Sequence, residues 1–420
     1  MRRLDAVDLN TSIELDGQPI SAVAAENTAC ALLAAGETIF SRSIKYHRPR
    51  GPFCLTGACS HCLMRVDGVP NIPVCQTQVH PGMRLERQNA FPTAQLDVFS
   101  ITDWLFPRGL NHHEMFAGVP IAEQVMAKVA RQLAGLGKLP DTAPPTRPAA
   151  PAVRCEVAIV GAGAAGLAAA QALEESGTPW VLIDREDFLG GRLVVAPEEF
   201  GAPSLWAAPK QKVWLRSTVI GIFEEGDGRF LAVSDGQVLT KLYARVILLA
   251  NGGHPQLIPF ENNDLPGVFA ARAVSRMIRL HRFLPGELIA VVGEPNEAKA
   301  LAKLIESVGG KTVSAGGEPV HAAHGLASVS AVTLAPNGKH TRFDCDAIAV
   351  CAPLAPGFEL ARQAGAVVSW REKEAVFAVD ADVDGRTASP TLFVAGELKG
   401  PMGAAAAAET GRRAARSIGK

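Results

Sequence analysis

The 420-residue sequence carries almost no net charge: 41 Lys and Arg stand against 42 Asp and Glu, a formal charge of −1. That balance argues against nucleic acid as the main partner. Long apolar runs are also missing. One long uncharged stretch, residues 157–173, is mostly Gly and Ala, and no transmembrane segment is expected. The opening residues Met1-Arg2-Arg3-Leu4-Asp5 lack the apolar core of a secretory leader, and a cytoplasmic location is the expectation. Only one C-x2-C pair occurs, and no C-x2-C or C-x4-C pair follows residue 75. A redox dithiol in the later half is thereby excluded. What remains, 48% hydrophobic and 20% charged residues, is the composition of a globular protein with two to four domains.

The cysteines that are present are concentrated. Cys54, Cys59 and Cys62 read C-x4-C-x2-C, and Cys75 follows after twelve further residues. This is the ligand spacing of a plant-type 2Fe–2S cluster, with three thiolates on one loop and a fourth from a later segment. Gly57 allows the loop to bend inward. The rival, a four-cysteine zinc site, usually pairs two C-x2-C knuckles, of which only one exists here. Cys30, Cys155, Cys345 and Cys351 stand singly in apolar surroundings and are expected to be buried reduced thiols.

Residues 1–100 read as a strand-rich module. Ser12-Ile13-Glu14-Leu15 alternates before an Asp16-Gly17 turn, residues 24–35 are expected to be helical, and Leu63 to Val66 precedes a second turn at Asp67-Gly68. The pattern suits a β-grasp ferredoxin-like domain. Residues 101–153 form a connector in which Ile121, Val125, Val129 and Leu133 make one apolar helical stripe. His112 and His113 lack further spaced ligands and are read as surface. Five prolines within residues 140–151 mark a stiff tether and a domain boundary.

From residue 154 onward apolar strands alternate with Ala-rich helices, as in a parallel α/β architecture. Residues 155–160 form a strand, the G-x-G-x-x-G turn runs from Gly161 to Gly166, and a helix follows. A second strand ends at Asp184, eighteen residues after Gly166. Gly161 permits the tight turn, Gly163 admits a pyrophosphate, Gly166 lets helix and strand pack closely, and Asp184 can take a ribose diol. Residues 245–253 resemble the A-T-G motif of two-dinucleotide flavoproteins, with Asn251 in the threonine position. Residues 391–397 resemble their T-x-x-x-V-A-G-D motif, with Glu397 for aspartate. Together these favour FAD. Gly403, followed by five alanines, can bring a helix start beneath the flavin ring. The candidate flavin residues are Gly161, Gly163, Ala164, Ala165, Gly166, Asp184, Arg185, Gly191, Arg192, Ala250, Asn251, Gly252, Gly396, Glu397, Gly403 and Ala404; no catalytic residue is assigned.

A second nucleotide unit begins with the strand at residues 288–293, but Glu294-Pro295-Asn296-Glu297-Ala298 lacks the later glycines. Glu294 would place negative charge where a pyrophosphate should sit, and the next strand does not end in an acid. NAD(P) is therefore disfavoured, and another ligand such as an adenine mononucleotide stays open. The expected divisions are 1–100, 101–153, 154–275 and 381–420 for flavin, and 276–380 for the degenerate nucleotide domain.

Assembled, these motifs resemble the α-subunit type of heteromeric sarcosine oxidase, hydrogen cyanide synthase, opine oxidase and dye-linked proline or hydroxyproline dehydrogenase. Lys45-Tyr46-His47-Arg48-Pro49-Arg50-Gly51 and Leu133-Ala134-Gly135-Leu136-Gly137-Lys138 are similar to segments of sarcosine oxidase α-subunits. The four cysteines are similar to the small iron–sulfur subunit of the cyanide and opine enzymes. The resemblance implies an α/β chain: a β-grasp 2Fe–2S domain followed by a two-dinucleotide-binding, Rossmann-like flavoprotein. It implies an oxidoreductase subunit whose amine or amino-acid substrate reacts on an FAD-dependent oxidase-type β subunit, with further small subunits and an FMN at a subunit interface as family features. The rival function is a self-contained NAD(P)H-dependent flavin and 2Fe–2S reductase.

Overall fold

The computed structural model describes residues 1–44, 46–105, 150–195, 212–226 and 228–419. Lys45, the stripe at 121–133, His112, His113, the 133–138 segment and most of the proline tether lie outside the described residues. Two compact units are present, each made of two stretches: Met1–Pro144 with Leu257–Ala352, and Pro145–Gln256 with Pro353–Lys420. The sequence reading drew these changeovers at 275/276 and 380/381.

At the N-terminus, β1 (Thr11–Leu15) and β2 (Gln18–Ala22) form a hairpin. Asp16 and Gly17, at φ 51° and 82°, supply the two left-handed positions of its turn. Helix α1 (Thr28–Ala34) starts later than the 24–35 expected. Ala25 is left-handed at φ 65°, and Asn27 caps the helix by accepting from Cys30 N. Strands β3 (Leu63–Val66) and β4 (Val69–Pro73) pair through Asp67-Gly68, and β5 (Arg84–Glu86) completes the sheet in the order β2-β1-β5-β3-β4. Only β1 and β5 run parallel; the other neighbours are antiparallel.

The second unit opens with β6 (Ala152–Val160), α2 (Ala164–Glu175) and β7 (Trp180–Ile183). Then come β8 (Lys212–Trp214), β9 (Thr218–Glu225), β10 (Gly228–Ser234) and β11 (Leu239–Leu249). The sheet order is β8-β7-β6-β11-β10-β9. Strands β8, β7, β6 and β11 are parallel, whereas β9 and β10 add an antiparallel meander.

The chain then returns to the first unit with β12 (Val268–Ala270), α3 (Ala271–Arg279), β13 (Leu288–Gly293), α4 (Pro295–Ser307), β14 (Lys311–Ala315) and β15 (Ala347–Cys351). Its four strands are all parallel, in the order β12-β15-β13-β14. Because β12 belongs to this sheet, the changeover precedes residue 268. One hydrophobic core joins this sheet to the N-terminal module, with Phe40, Leu32, Met83, Phe269, Met277 and Phe283 all buried in it. Each such side chain stabilises the joint unit by roughly 1.5–3 kcal/mol. Ala270 N also donates to Phe53 O at 3.0 Å, pinning the end of β12 to the cysteine loop.

Finally β16 (Leu392–Val394) joins the second unit by pairing in parallel with the last residues of β11, and α5 (Ala404–Ile418) packs against α2. All eight cysteines are free thiols. Cys30, Cys345 and Cys351 are buried, but Cys155, on the outer half of β6, is only half-buried. No helix among the described residues is long and apolar enough to cross a membrane.

Candidate cluster and flavin sites

The loop between α1 and β3, with the short helical turn Val74–Gln76, brings Cys54, Cys59, Cys62 and Cys75 together. Cys54, Cys62 and Cys75 are almost fully buried and Cys59 is at the rim. The thiols touch as a chain, Cys59 to Cys54 to Cys75 to Cys62. Cys54 is held well below the usual thiol range by hydrogen bonds from Cys59 and Cys75, and Cys62 is lowered by Cys75. Cys59 and Cys75, the donors in these contacts, are pushed up. Among the described residues no group of three or more His, Cys, Asp or Glu side chains is arranged around a single metal ion.

The loop backbone is bent inward by two left-handed residues, Leu55 at φ 52° and Gly57 at φ 71°. Thr56 N donates to Cys54 Sγ at 3.4 Å. The buried Thr56 hydroxyl is near enough to Cys54 to act on it electrostatically, yet makes no hydrogen bond of normal geometry. Sequence reasoning missed two polar side chains here. Asn27 Nδ2 donates to Cys75 O at 2.8 Å, and Gln76 Nε2 donates to Leu55 O at 3.1 Å and to Cys75 O at 3.0 Å. Nothing in their spacing marks them, because both act across the fold.

Two residues of the basic segment beside this loop have acidic partners. His47 is buried, with Nδ1 2.7 Å from Asp97 Oδ2, and Arg48 reaches Asp103 at 2.9 Å and Asp264 at 3.0 Å.

In the second unit the glycine turn follows β6 directly. Gly161 has φ 102°, and a Cβ there would lie 2.5 Å from Ala250 O. A Cβ at Gly166 would lie 1.8 Å from Gly161 O, so α2 and the turn can approach only through glycine. At Gly163, the N-cap of α2, a Cβ would meet nothing within 4 Å, and no side chain caps the helix. Open space and uncapped amides at a helix N-terminus are what a pyrophosphate requires. Ala164 and Ala165 form the first turn of α2.

Asp184 ends β7 and accepts from Ala162 N at 2.5 Å and Glu186 N at 2.8 Å. Burial raises its carboxyl above the ordinary range despite these bonds. Arg185 beside it is largely exposed, 4.0 Å from Glu186. Gly191, at φ 51°, lies against Gly163, its would-be Cβ 3.5 Å from Gly163 Cα. Arg192 reaches across to Glu397, with which it is ion-paired. Gly252, at φ 69°, faces the same carboxylate, a would-be Cβ lying 3.7 Å from Glu397 Oε2. Ala250 N donates to Val160 O at 2.8 Å, and Asn251 Nδ2 to Gly357 O at 2.9 Å, while the buried Asn251 Oδ1 has no partner. Gly396 N donates to Thr410 Oγ1 at 2.8 Å, and Gly403 caps α5 without a side chain, placing Ala404 in its first turn. Thr410 and Gly411, whose would-be Cβ lies 2.0 Å from Ala165 O, are further residues that the sequence reading did not single out. The orphaned amide oxygen, the open glycine cradle and the uncapped helices fit a bound dinucleotide.

Residues 9–90 match the family of the 2Fe-2S iron-sulfur cluster binding domain, and residues 155–314 match pyridine nucleotide-disulphide oxidoreductase. The α subunit of sarcosine oxidase from Rhizobium meliloti is 27% identical over 98% of this chain and 46% of its own length. Hydrogen cyanide synthase subunit HcnA from Pseudomonas aeruginosa is 40% identical over 19% of this chain and 74% of its own length. Over nearly its whole length the chain is similar to the sarcosine oxidase α-subunit type. This α-type chain spans less than half the length of its sarcosine oxidase relative. Its fold is also that of L-proline dehydrogenase from P. horikoshii, with a TM-score of 0.76 at 20% identity over 99% of this chain and 75% of the other. The chain is thus an oxidoreductase-family protein that combines a 2Fe–2S domain with a flavin domain.

The second nucleotide fold differs from the first at the start of its helix. Gly293 keeps the left-handed turn at φ 102°, but the N-cap of α4 is Glu294. Its carboxylate accepts from Asn296 N at 3.1 Å and Glu297 N at 2.7 Å. Glu297 is in turn 3.1 Å from Arg272 Nε.

Proposed function

We propose that this chain is the electron-transfer subunit of a heteromeric amine or amino-acid dehydrogenase or oxidase. The substrate class is sarcosine, proline, hydroxyproline or an opine, and the C–H bond next to nitrogen is oxidised on a partner β subunit with its own FAD. Electrons pass between that partner's flavin, the 2Fe–2S cluster and the FAD of this chain. The cytoplasm is the expected compartment.

In this reading Cys54, Cys59, Cys62 and Cys75 ligate the cluster. The gathering of all four thiols in one chain of contacts, on the C-x4-C-x2-C spacing with a later fourth cysteine, supports a 2Fe–2S centre. The glycine turn, Asp184, Asn251, Arg192, Glu397 and the start of α5 hold FAD. Flavin accepts two electrons and releases them singly, whereas a 2Fe–2S cluster takes one at a time, which is why the pair suits a junction between a two-electron donor and a one-electron chain. The residues here orient these groups; among the described residues of the flavin unit no set of side chains for binding an amine was identified.

The observation that carries the reading is the coexistence of an open cradle at Gly163 and a closed one at Glu294. The second nucleotide fold serves as the floor of the cysteine domain, sharing its core, and NAD(P) is not its ligand. The purified chain should therefore not turn over sarcosine, proline, hydroxyproline or opines, and turnover should appear with a flavin-bearing partner. Strong turnover by the chain alone would overturn the subunit reading. An FMN at the partner contact follows from family likeness only.

A further inference from the structure

The Gln76 side chain bridges the two segments that carry the cysteines. Its amide nitrogen donates to Leu55 O at 3.1 Å and to Cys75 O at 3.0 Å, and lies 3.9 Å from Cys75 Sγ. Two carbonyl acceptors fix the orientation of the amide, since its oxygen in that place would face both of them. Leu55 is a bulky residue in the left-handed region at φ 52°, a strained conformation for a side chain of its kind. The Gln76 bond holds the carbonyl that this conformation turns out. Its methylenes cover the glycine beside it: a Cβ at Gly57 would lie 3.0 Å from Gln76 Cγ.

From this geometry we propose that Gln76 is a positioning residue that tunes the cluster, clamping the Cys54 loop to the Cys75 turn and holding the positive, NH2 end of its amide dipole 3.9 Å from the Cys75 sulfur. The proposal rests on the four-cysteine cluster reading above. Reducing a thiolate-held cluster adds one electron and one negative charge. The positive end of an amide dipole beside a ligand sulfur stabilises that added charge and raises the reduction potential. A carboxylate in the same place would do the reverse.

The test compares the full-length wild type with Q76M and Q76E, both similar in size, so that the cover over Gly57 and the exclusion of water persist. Gln76 is at the surface, and neither change disturbs the core. The readout is the midpoint potential of the cluster from an EPR-monitored anaerobic titration. The potential should fall in Q76M and fall further in Q76E, with iron and sulfide content unchanged. Equal potentials in wild type and Q76M would overturn the proposal. Absence of any reduced-cluster signal in the wild type would instead defeat the cluster reading itself. If the variants fail to load, pulsed EPR on reduced wild type grown with 15N-amide glutamine decides. A resolved nitrogen coupling supports the proposal, and its absence contradicts it.

Discussion

The Glu294 carboxylate accepts a hydrogen bond from the backbone amide of Glu297 at 2.7 Å. The helix α4 thus satisfies its own first-turn amides, which in a working dinucleotide site would be offered to phosphate. At the equivalent place on α2 stands Gly163, which has no side chain to do the same. This carboxylate occupies amides that the first cradle leaves open.

NADH and NADPH should therefore fail to bleach the flavin absorbance under anaerobic conditions. Rapid bleaching by either would favour the self-contained reductase. Glu294→Ala should lower the stability of the chain by about 1 kcal/mol, the usual worth of a helix cap, as read by denaturant unfolding.

Flavin and cluster should be separable by mutation. Gly166→Ala puts a methyl where Gly161 O already stands, 1.8 Å from the new carbon. The substitution should abolish FAD binding while iron and sulfide content stay at wild-type levels. Cys75→Ser should do the converse, removing the cluster and leaving the flavin absorbance. Flavin fluorescence after acid release and iron assays on the same preparations check both.

Glu397 is paired with Arg192 and faces Gly252. Glu397→Ala leaves the guanidinium without this carboxylate and removes a charged acceptor from the cradle. FAD affinity should fall about tenfold to a hundredfold, the effect of losing one hydrogen bond to a charged group. Equilibrium dialysis against FAD measures it.

Cys155 is pushed up to about 11 and Cys345 to about 12, in both cases by burial first and then by neighbouring carboxylates. A raised thiol pKa means less thiolate at neutral pH, so both should resist alkylation at pH 7. For the half-buried Cys155, the rate should climb about tenfold per pH unit until pH approaches 11. Peptide mapping after iodoacetamide treatment of native protein checks this.

Much of both sites was legible because their chemistry is local. The C-x4-C-x2-C spacing and the glycine turn each confine their key residues to about ten positions, where residue type and spacing carry the geometry. Glu294 was legible for the same reason, since a cap acts on its own helix. Asn27, Gln76 and Thr410 were not, because their partners are far along the chain: Asn27 binds Cys75 O across 48 residues. The start of α1 was misplaced because alanines 24 and 25 look helical by propensity, while the Asn27 cap and the left-handed Ala25 begin the helix later. That the second nucleotide fold shares a core with the cysteine domain was also hidden, since each segment reads as an independent apolar pattern.

The most direct measurement is metal, sulfide and flavin analysis of anaerobically purified protein, followed by EPR after dithionite reduction. Two irons, two sulfides and one FAD per chain, with the signal of a reduced 2Fe–2S centre, are expected. Zinc in place of iron, or a chain that retains no flavin, would contradict the account.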